Sequence, residues 1–192
     1  MADRPQILAF SGSLRADSWN QKMVRCAAAA AEAQGAGVRV IELSDYPLPL
    51  FDEDLERQQV PENATKLKAL MKPADGLLIA SPEYNSSLSG ALKNMIDWTS
   101  RPAAGEGRLE AFAGKAAVIM SASPGGLGGL RGLVHLRSIL GNLQMIVLPQ
   151  QHALTQAHEA FDEQGQMRPG EPRERVEFLG ASLAEFVKKH KA

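Results

Sequence analysis

Five short apolar runs punctuate this chain: QILAFS (Gln6–Ser11), VRVIEL (38–43), GLLIAS (76–81), KAAVIMS (115–121) and QMIVLP (144–149). Each is nearly continuous rather than alternating, so the strand it forms must be covered on both faces. Helical patterns separate the runs, at about 20–34, 61–71, in the stretch after 85, up to about 140, and at 172–189. Strands buried on both sides and joined by helices predict a parallel sheet in an α/β fold. Gly35-Ala36-Gly37 stops the first helix before the second strand. No internal repeat, low-complexity tract or linker interrupts the pattern, and a single domain over residues 1–192 is expected.

The bulk numbers narrow the function classes. A chain of 192 residues with 44% hydrophobic and 22% charged content suffices for one well-buried domain. Its 21 Lys+Arg against 22 Asp+Glu leave a formal net charge of -1, which argues against a nucleic-acid binder relying on a general positive field. Cys26 has no second cysteine to pair with, which fits a reducing compartment. The opening MADRPQILAFSGS reads neither as a signal peptide nor as a membrane span. A cytoplasmic protein without membrane or nucleic-acid partners is the expectation.

In an open parallel sheet, ligands bind beyond the carboxyl ends of the strands, where the strand order switches direction. The turns after the first, third and fourth strands are GSLRADSWN, SPEYNSS and SASPGGLGG. The first carries Ser13, Arg15, Ser18 and Asn20 into a helix N-terminus, which is a natural anion site. It lacks both G-x-G-x-x-G and the Gly-Lys-Ser/Thr of a P-loop, so hydroxyls and a guanidinium suit one terminal phosphate better than a dinucleotide or triphosphate. Ser18 also fits an N-cap, with Gln21 completing a capping box. Capping alone leaves Ser13, Arg15 and Asn20 unexplained.

In the third turn Pro82 stiffens the strand exit, and Tyr84 and Asn85 stand near the place of a planar ligand. Glu83 either accepts a hydrogen bond from that ligand or ties down the turn. Asn85 and Ser87 are alternatively caps of the next helix, whose apolar face is Leu88, Leu92, Met95, Ile96 and Thr99. The fourth turn gathers Gly125, Gly126, Gly128 and Gly129, either for close backbone approach to something flat or for flexibility alone.

GSLRADSWN, SPEYNSSLSGALKNMIDWTSR and SPGGLGGLRGLVHLRSIL, in this order and spacing, resemble the NAD(P)H-dependent FMN reductases, a flavodoxin-like group with chromate, azo and quinone reductases. The resemblance runs from residue 6 to about residue 150. It implies a flavodoxin-like three-layer sandwich with sheet order 2-1-3-4-5 and FMN as cofactor. It also implies that Ser13, Arg15, Ser18 and Asn20 hold the phosphate and that Pro82, Glu83, Tyr84 and Asn85 lie along the flavin. Ser121, Ser123, Gly125 and Gly126 would approach the polar edge of the ring. A homodimer or homotetramer with FMN near the subunit interface is implied too. Asp17 stands where many relatives have glycine, and an acid beside a phosphate must point away or pair with Arg15.

The implied activity is ping-pong hydride transfer from NADPH or NADH to FMN, then to a small-molecule acceptor: a quinone, azo compound, free flavin or metal oxyanion. Such chemistry needs no protein nucleophile. Ser123 lacks a nucleophile elbow, His135, His152, His158 and His190 lack zinc spacing, and Cys26 reads as a small core residue. The alternatives are an FMN electron carrier and a flavin-binding regulatory module. The near-neutral charge speaks against a carrier that docks by charge. Tyr46, Leu48, Leu50 and Phe51, in the loop 44–60, are expected to pack on the body of the fold or against a partner.

Overall fold

The computed structural model describes residues 4–190. Its main sheet holds β1 (Gln6–Ser11), β2 (Gly37–Glu42), β3 (Gly76–Ala80), β6 (Ala116–Ala122) and β7 (Ile146–Leu154), all parallel, in the order β2-β1-β3-β6-β7. Counting only these strands, the order is 2-1-3-4-5, as the resemblance implied. The chain leaves β1 towards one edge for β2 and returns to the other side for β3. The switch point therefore lies between the carboxyl ends of β1 and β3.

Every residue of β3 and β6 is buried, which is why those runs are continuous in the sequence. Side chains alternate between two cores. Ile7, Ala9, Leu78, Val118 and Met120 face α1 (Trp19–Ala33) and α6 (Glu171–His190). Leu8, Phe10, Leu77, Ile79 and Ile119 face α3 (Glu62–Met71), α4 (Gly90–Thr99) and α5 (Leu130–Asn142). The helices α1 and α6 cross closely because the residues between them are small. A Cβ on Gly180 would come 1.9 Å from the Ala27 carbonyl oxygen, so only glycine fits the crossing. Among the described residues, no helix is long and apolar enough to cross a membrane.

Four features depart from the sequence reading. The strand β7 runs five residues beyond the expected run, to Leu154. Its register against β6 shifts between Ala117 and Ile119, around Pro149, which lacks an N–H for the ladder and is tolerated on an edge strand. Arg137 covers the bulge, donating to the Val147 and Leu148 carbonyls and to Gln151 Oε1. The loop 44–60 contains α2 (Glu53–Gln58), started by Asp52, whose carboxylate accepts from the Asp54 and Leu55 N–H groups. Ser89 caps α4, rather than Asn85 or Ser87. Residues 83–88 form a small hairpin of β4 (Glu83–Tyr84) and β5 (Ser87–Leu88).

Most of the loop's apolar residues pack on the body of the fold. Tyr46 and Leu48 lie against the α3–α5 core, and Phe51 meets Trp98 edge-on at 5.0 Å between ring centroids. Asn94 and Trp98, both on α4, hold the loop backbone. Asn94 accepts from the Phe51 N–H and donates to the Pro49 carbonyl, which Trp98 Nε1 also reaches. Leu50 alone of the four is exposed, at 83%.

The chain after α4 is pinned by Glu106, whose carboxylate takes Lys68 Nζ at 2.8 Å, Lys72 Nζ at 3.3 Å and the Ala103 N–H at 3.0 Å. Lys68 foremost, then Ala103, prevail over burial and hold this carboxyl well below its ordinary 4.5, at about 2. A carboxylate with a depressed native pKa contributes stability above its unfolded value, and that contribution fades as pH falls through the native one. Wild type should therefore exceed Glu106→Gln in urea midpoint at pH 6, and the gap should close between pH 4.5 and about 2. A gap that persists at pH 2 would show that packing, not charge, holds this segment.

Candidate functional site

The turns after β1, β3 and β6 meet above the switch point, and hydrogen bonds tie them to one another and to the helix that follows the last of them. Gly12 joins the first turn to the third. Its N–H donates to the Ala80 carbonyl at 2.8 Å, and its carbonyl accepts from Ser89 Oγ at 2.5 Å. A Cβ here would sit 2.8 Å from Leu92 Cβ, so glycine is required by close approach. Asn20 joins the first turn to the fourth. Its side-chain amide donates to the Ala122 carbonyl and accepts the Ala122 N–H, both at 2.9 Å. Glu83 joins the third turn to α5. Its Oε1 accepts from Arg131 Nε at 3.0 Å and Nη2 at 2.8 Å, and its Oε2 from the Gly132 N–H at 3.0 Å.

The first turn folds on its own hydroxyls. Ser11 Oγ accepts from the Ser13 N–H, Ser13 Oγ from the Arg15 N–H, and Ser18 Oγ from the Gln21 N–H. Each hydroxyl accepts, so its own O–H proton remains available to donate. Gln21 does not return a bond to Ser18. Its amide donates to the Ile41 carbonyl instead, so only half of the expected capping box forms. The N–H groups of Trp19 and Asn20, first in α1, have no acceptor within the helix by its geometry. Arg15 is exposed, its guanidinium 5.8 Å from the centroid of the Trp19 ring. Asp17 is paired with Lys22, which holds its carboxyl below the ordinary value, and its side chain is 79% exposed. Lys22 rather than Arg15 is thus the acid's ion-pair partner, and Arg15 adds only a smaller attraction. Of the four residues expected around a phosphate, Ser13, Arg15 and Ser18 border the turn with donors free, whereas Asn20 is committed at both ends to β6.

In the third turn, Asn85 (φ 50°) and Ser86 (φ 66°) both adopt left-handed backbone, the signature of a type I′ two-residue hairpin turn. Asparagine tolerates this region better than most residues. Pro82 is buried, while Tyr84 is 54% exposed at the hairpin. The Glu83 carboxylate ties down the turn, the second of its two sequence readings. Burial opposes its ionisation, but the Gly132 N–H and Arg131 overcome that and hold its pKa below the ordinary value.

In the fourth turn, the glycines that need to be glycine are Gly128 and Gly129 rather than Gly125 and Gly126. A Cβ on Gly128 would lie 2.6 Å from the Ala153 backbone, and one on Gly129, at φ 92°, 1.8 Å from Ser121 Oγ. Beside Gly126 there is open space, and Gly125 meets only Ser123 Oγ at 3.6 Å, to which its N–H donates. Ser121 is fully buried beneath Gly129, and its Oγ has no hydrogen-bond partner among the described residues. It forms the floor of the site rather than its surface. A cavity of about 650 Å³ lies elsewhere, in the groove between α1 and α6, and none of the three turns lines it.

This donor set fits the group that the resemblance implies. Two free hydroxyl protons, a guanidinium in no ion pair among the described residues and a helix N-terminus suit a phosphate dianion. The open side of Gly125 and Gly126 leaves room for a flat ring.

Comparison with known proteins points the same way. The family described as NADPH-dependent FMN reductase matches residues 5–159. An NAD(P)H-dependent FMN reductase of Pseudomonas aeruginosa is 37% identical over 98% of both chains. A probable NADPH:quinone oxidoreductase of rice, Oryza sativa subsp. japonica, is 37% identical over 95% of this chain and 88% of its own. Among solved structures, the flavoenzyme NAD(P)H:(acceptor) oxidoreductase FerB from Paracoccus denitrificans superposes with a TM-score of 0.82 at 28% identity, covering 97% of this chain and 98% of its own. With the three turns assembled at the switch point of a 2-1-3-4-5 sheet, these matches establish that the chain belongs to the NADPH-dependent FMN reductase family.

Proposed function

We propose that this protein is a quinone reductase of that family, taking reducing equivalents from NADPH or NADH through bound FMN. The observation that carries the cofactor reading is the first turn, where Ser13, Arg15 and Ser18 offer donors with the one nearby acid already neutralised. When bound, FMN supplies the redox chemistry, accepting a hydride from the nicotinamide and passing two electrons to the acceptor. The chain's part is placement. Arg15 and the α1 N-terminus draw the phosphate, Pro82 and the hairpin bound one side of the ring site, and residues 123–126 bound another. The quinone reading is supported by the rice relative's name and by an exposed site able to admit flat oxidants in turn. Azo compounds and metal oxyanions are the other acceptors to compare.

Apolar residues at the mouth of the site support assembly with a second copy of the chain. Leu127, Leu130 and Val134 make an exposed stripe along the start of α5, at 51%, 43% and 60%, and Tyr84 stands nearby on the hairpin. The stripe, rather than the loop 44–60, is the surface that a partner would cover. Light scattering should give a multiple of the 20.7 kDa chain mass, and Val134→Glu should lower it. A wild-type mass of one chain at working concentrations would contradict the assembly.

Two measurements test the cofactor reading. Anaerobic addition of NADPH to FMN-loaded protein should bleach the flavin absorbance, and a quinone should then restore it. Flavin that stays yellow would favour an electron carrier or a binding module. Arg15→Ala should raise the FMN Kd about tenfold or more, the loss of one charge-assisted contact. Arg15→Lys should fall between, because an ammonium keeps the charge without the fork. An unchanged Kd in Arg15→Ala would place the phosphate elsewhere.

A further inference from the structure

The hairpin that borders the site has little structure of its own. It consists of two strands of two residues each around a left-handed turn, and an isolated hairpin of this size is not stable in water. What holds it is α5. Glu83 accepts from Arg131 and from the Gly132 N–H at the first turn of that helix. Ser87 Oγ stands 3.0 Å from His135 Nδ1, one turn further on. Gly132 is a glycine because a Cβ would come 3.1 Å from the Ser87 carbonyl oxygen and 3.4 Å from Glu83 Cβ. Both strands of the hairpin thus rest on one face of one helix.

The charges fit this arrangement. The N-terminus of α5 has no side-chain cap of its own, since Gly129 occupies the cap position in left-handed backbone. A helix start without a cap leaves N–H groups open and a partial positive charge. Glu83, 49 residues earlier, supplies the missing acceptor through Oε2, and Arg131 pairs with its other oxygen, Oε1. The Glu83 side chain is only 9% exposed, whereas Arg131 is 58% exposed on the outer side.

We propose that Glu83 is a positioning residue that acts through Arg131 and Gly132, fixing the hairpin so that the ring site is formed before FMN arrives. Its carboxylate does not serve the flavin directly. Arg131, which the sequence did not single out, belongs to the same device. The inference rests on the FMN reading above for its ligand, but not for its first readout.

That readout is hydrogen exchange of the hairpin amides 84–88 in the protein without FMN. Exchange there should quicken at least severalfold in Glu83→Gln and in Arg131→Ala, while amides of β3 and β6 keep their wild-type rates. The FMN Kd should rise about tenfold in each single variant. The double variant should be no worse than the worse single one, because the two residues work as a unit. Arg131→Lys should recover part of both effects. Unchanged hairpin exchange in both variants would overturn the proposal. So would quickened exchange with an unchanged FMN Kd, which would make the contact a brace of no consequence to the site. A Kd raised by Glu83→Gln but not by Arg131→Ala would also overturn it, by showing direct contact between Glu83 and the ligand. If wild type binds no FMN at all, the cofactor reading fails, and the exchange arm still decides whether the clamp exists.

Discussion

The site depends first on the backbone of Gly12, held on one side by the Ala80 carbonyl and on the other by Ser89 Oγ. A parallel sheet delivers its turns to one edge, but it does not bring them into contact. Residue 12 has to pass close enough to Leu92 that no side chain fits, and in doing so it draws the first turn against the start of α4. Asn20 repeats the device against Ala122, acting as a one-residue strand partner to the end of β6. Glu83 repeats it against α5. Three polar links thus turn three loops into one surface. Two of them, through Asn20 and Ser89, are buried, where losing a partner leaves the other group unsatisfied at about 1–3 kcal/mol.

The fold was legible because burial on both faces writes itself into the sequence as continuous apolar runs. The strands β1, β3 and β6 were placed within a residue or so for that reason. The end of β7 was not, because an edge strand is only partly buried, and its pattern eiBeeiiiB carries no run to read. The short helix α2 had a local signal, an aspartate followed by acidic residues, within what otherwise looked like a Pro-rich loop. The hairpin at 83–88 had a weaker one, since Asn-Ser is a less distinctive I′ turn than Asn-Gly.

Within the site, residue types were legible and partners were not. Serines and an arginine before a helix announce an anion site, and the first turn has that form. Which polar groups face a ligand and which face the protein depends on contacts across dozens of residues. Asn20 bonds to residue 122 and Glu83 to residues 131 and 132. The same holds for the glycines. The run GGLGG could be seen, but only the approach of Ala153 and Ser121 distinguishes the second pair, which must be glycine, from the first, which faces open space.

The central claim is that these three linked turns, and not the groove between α1 and α6, receive the cofactor. The most direct test is a backbone amide map of the ligand-free protein, by NMR or hydrogen exchange, with and without added FMN. Perturbation and protection are expected at residues 12–20, 82–88 and 123–129, with the amides lining the α1–α6 groove unchanged. Protection centred on Cys26, Arg173 and Phe178 in that groove, with the turns unaffected, would contradict the assignment of the site.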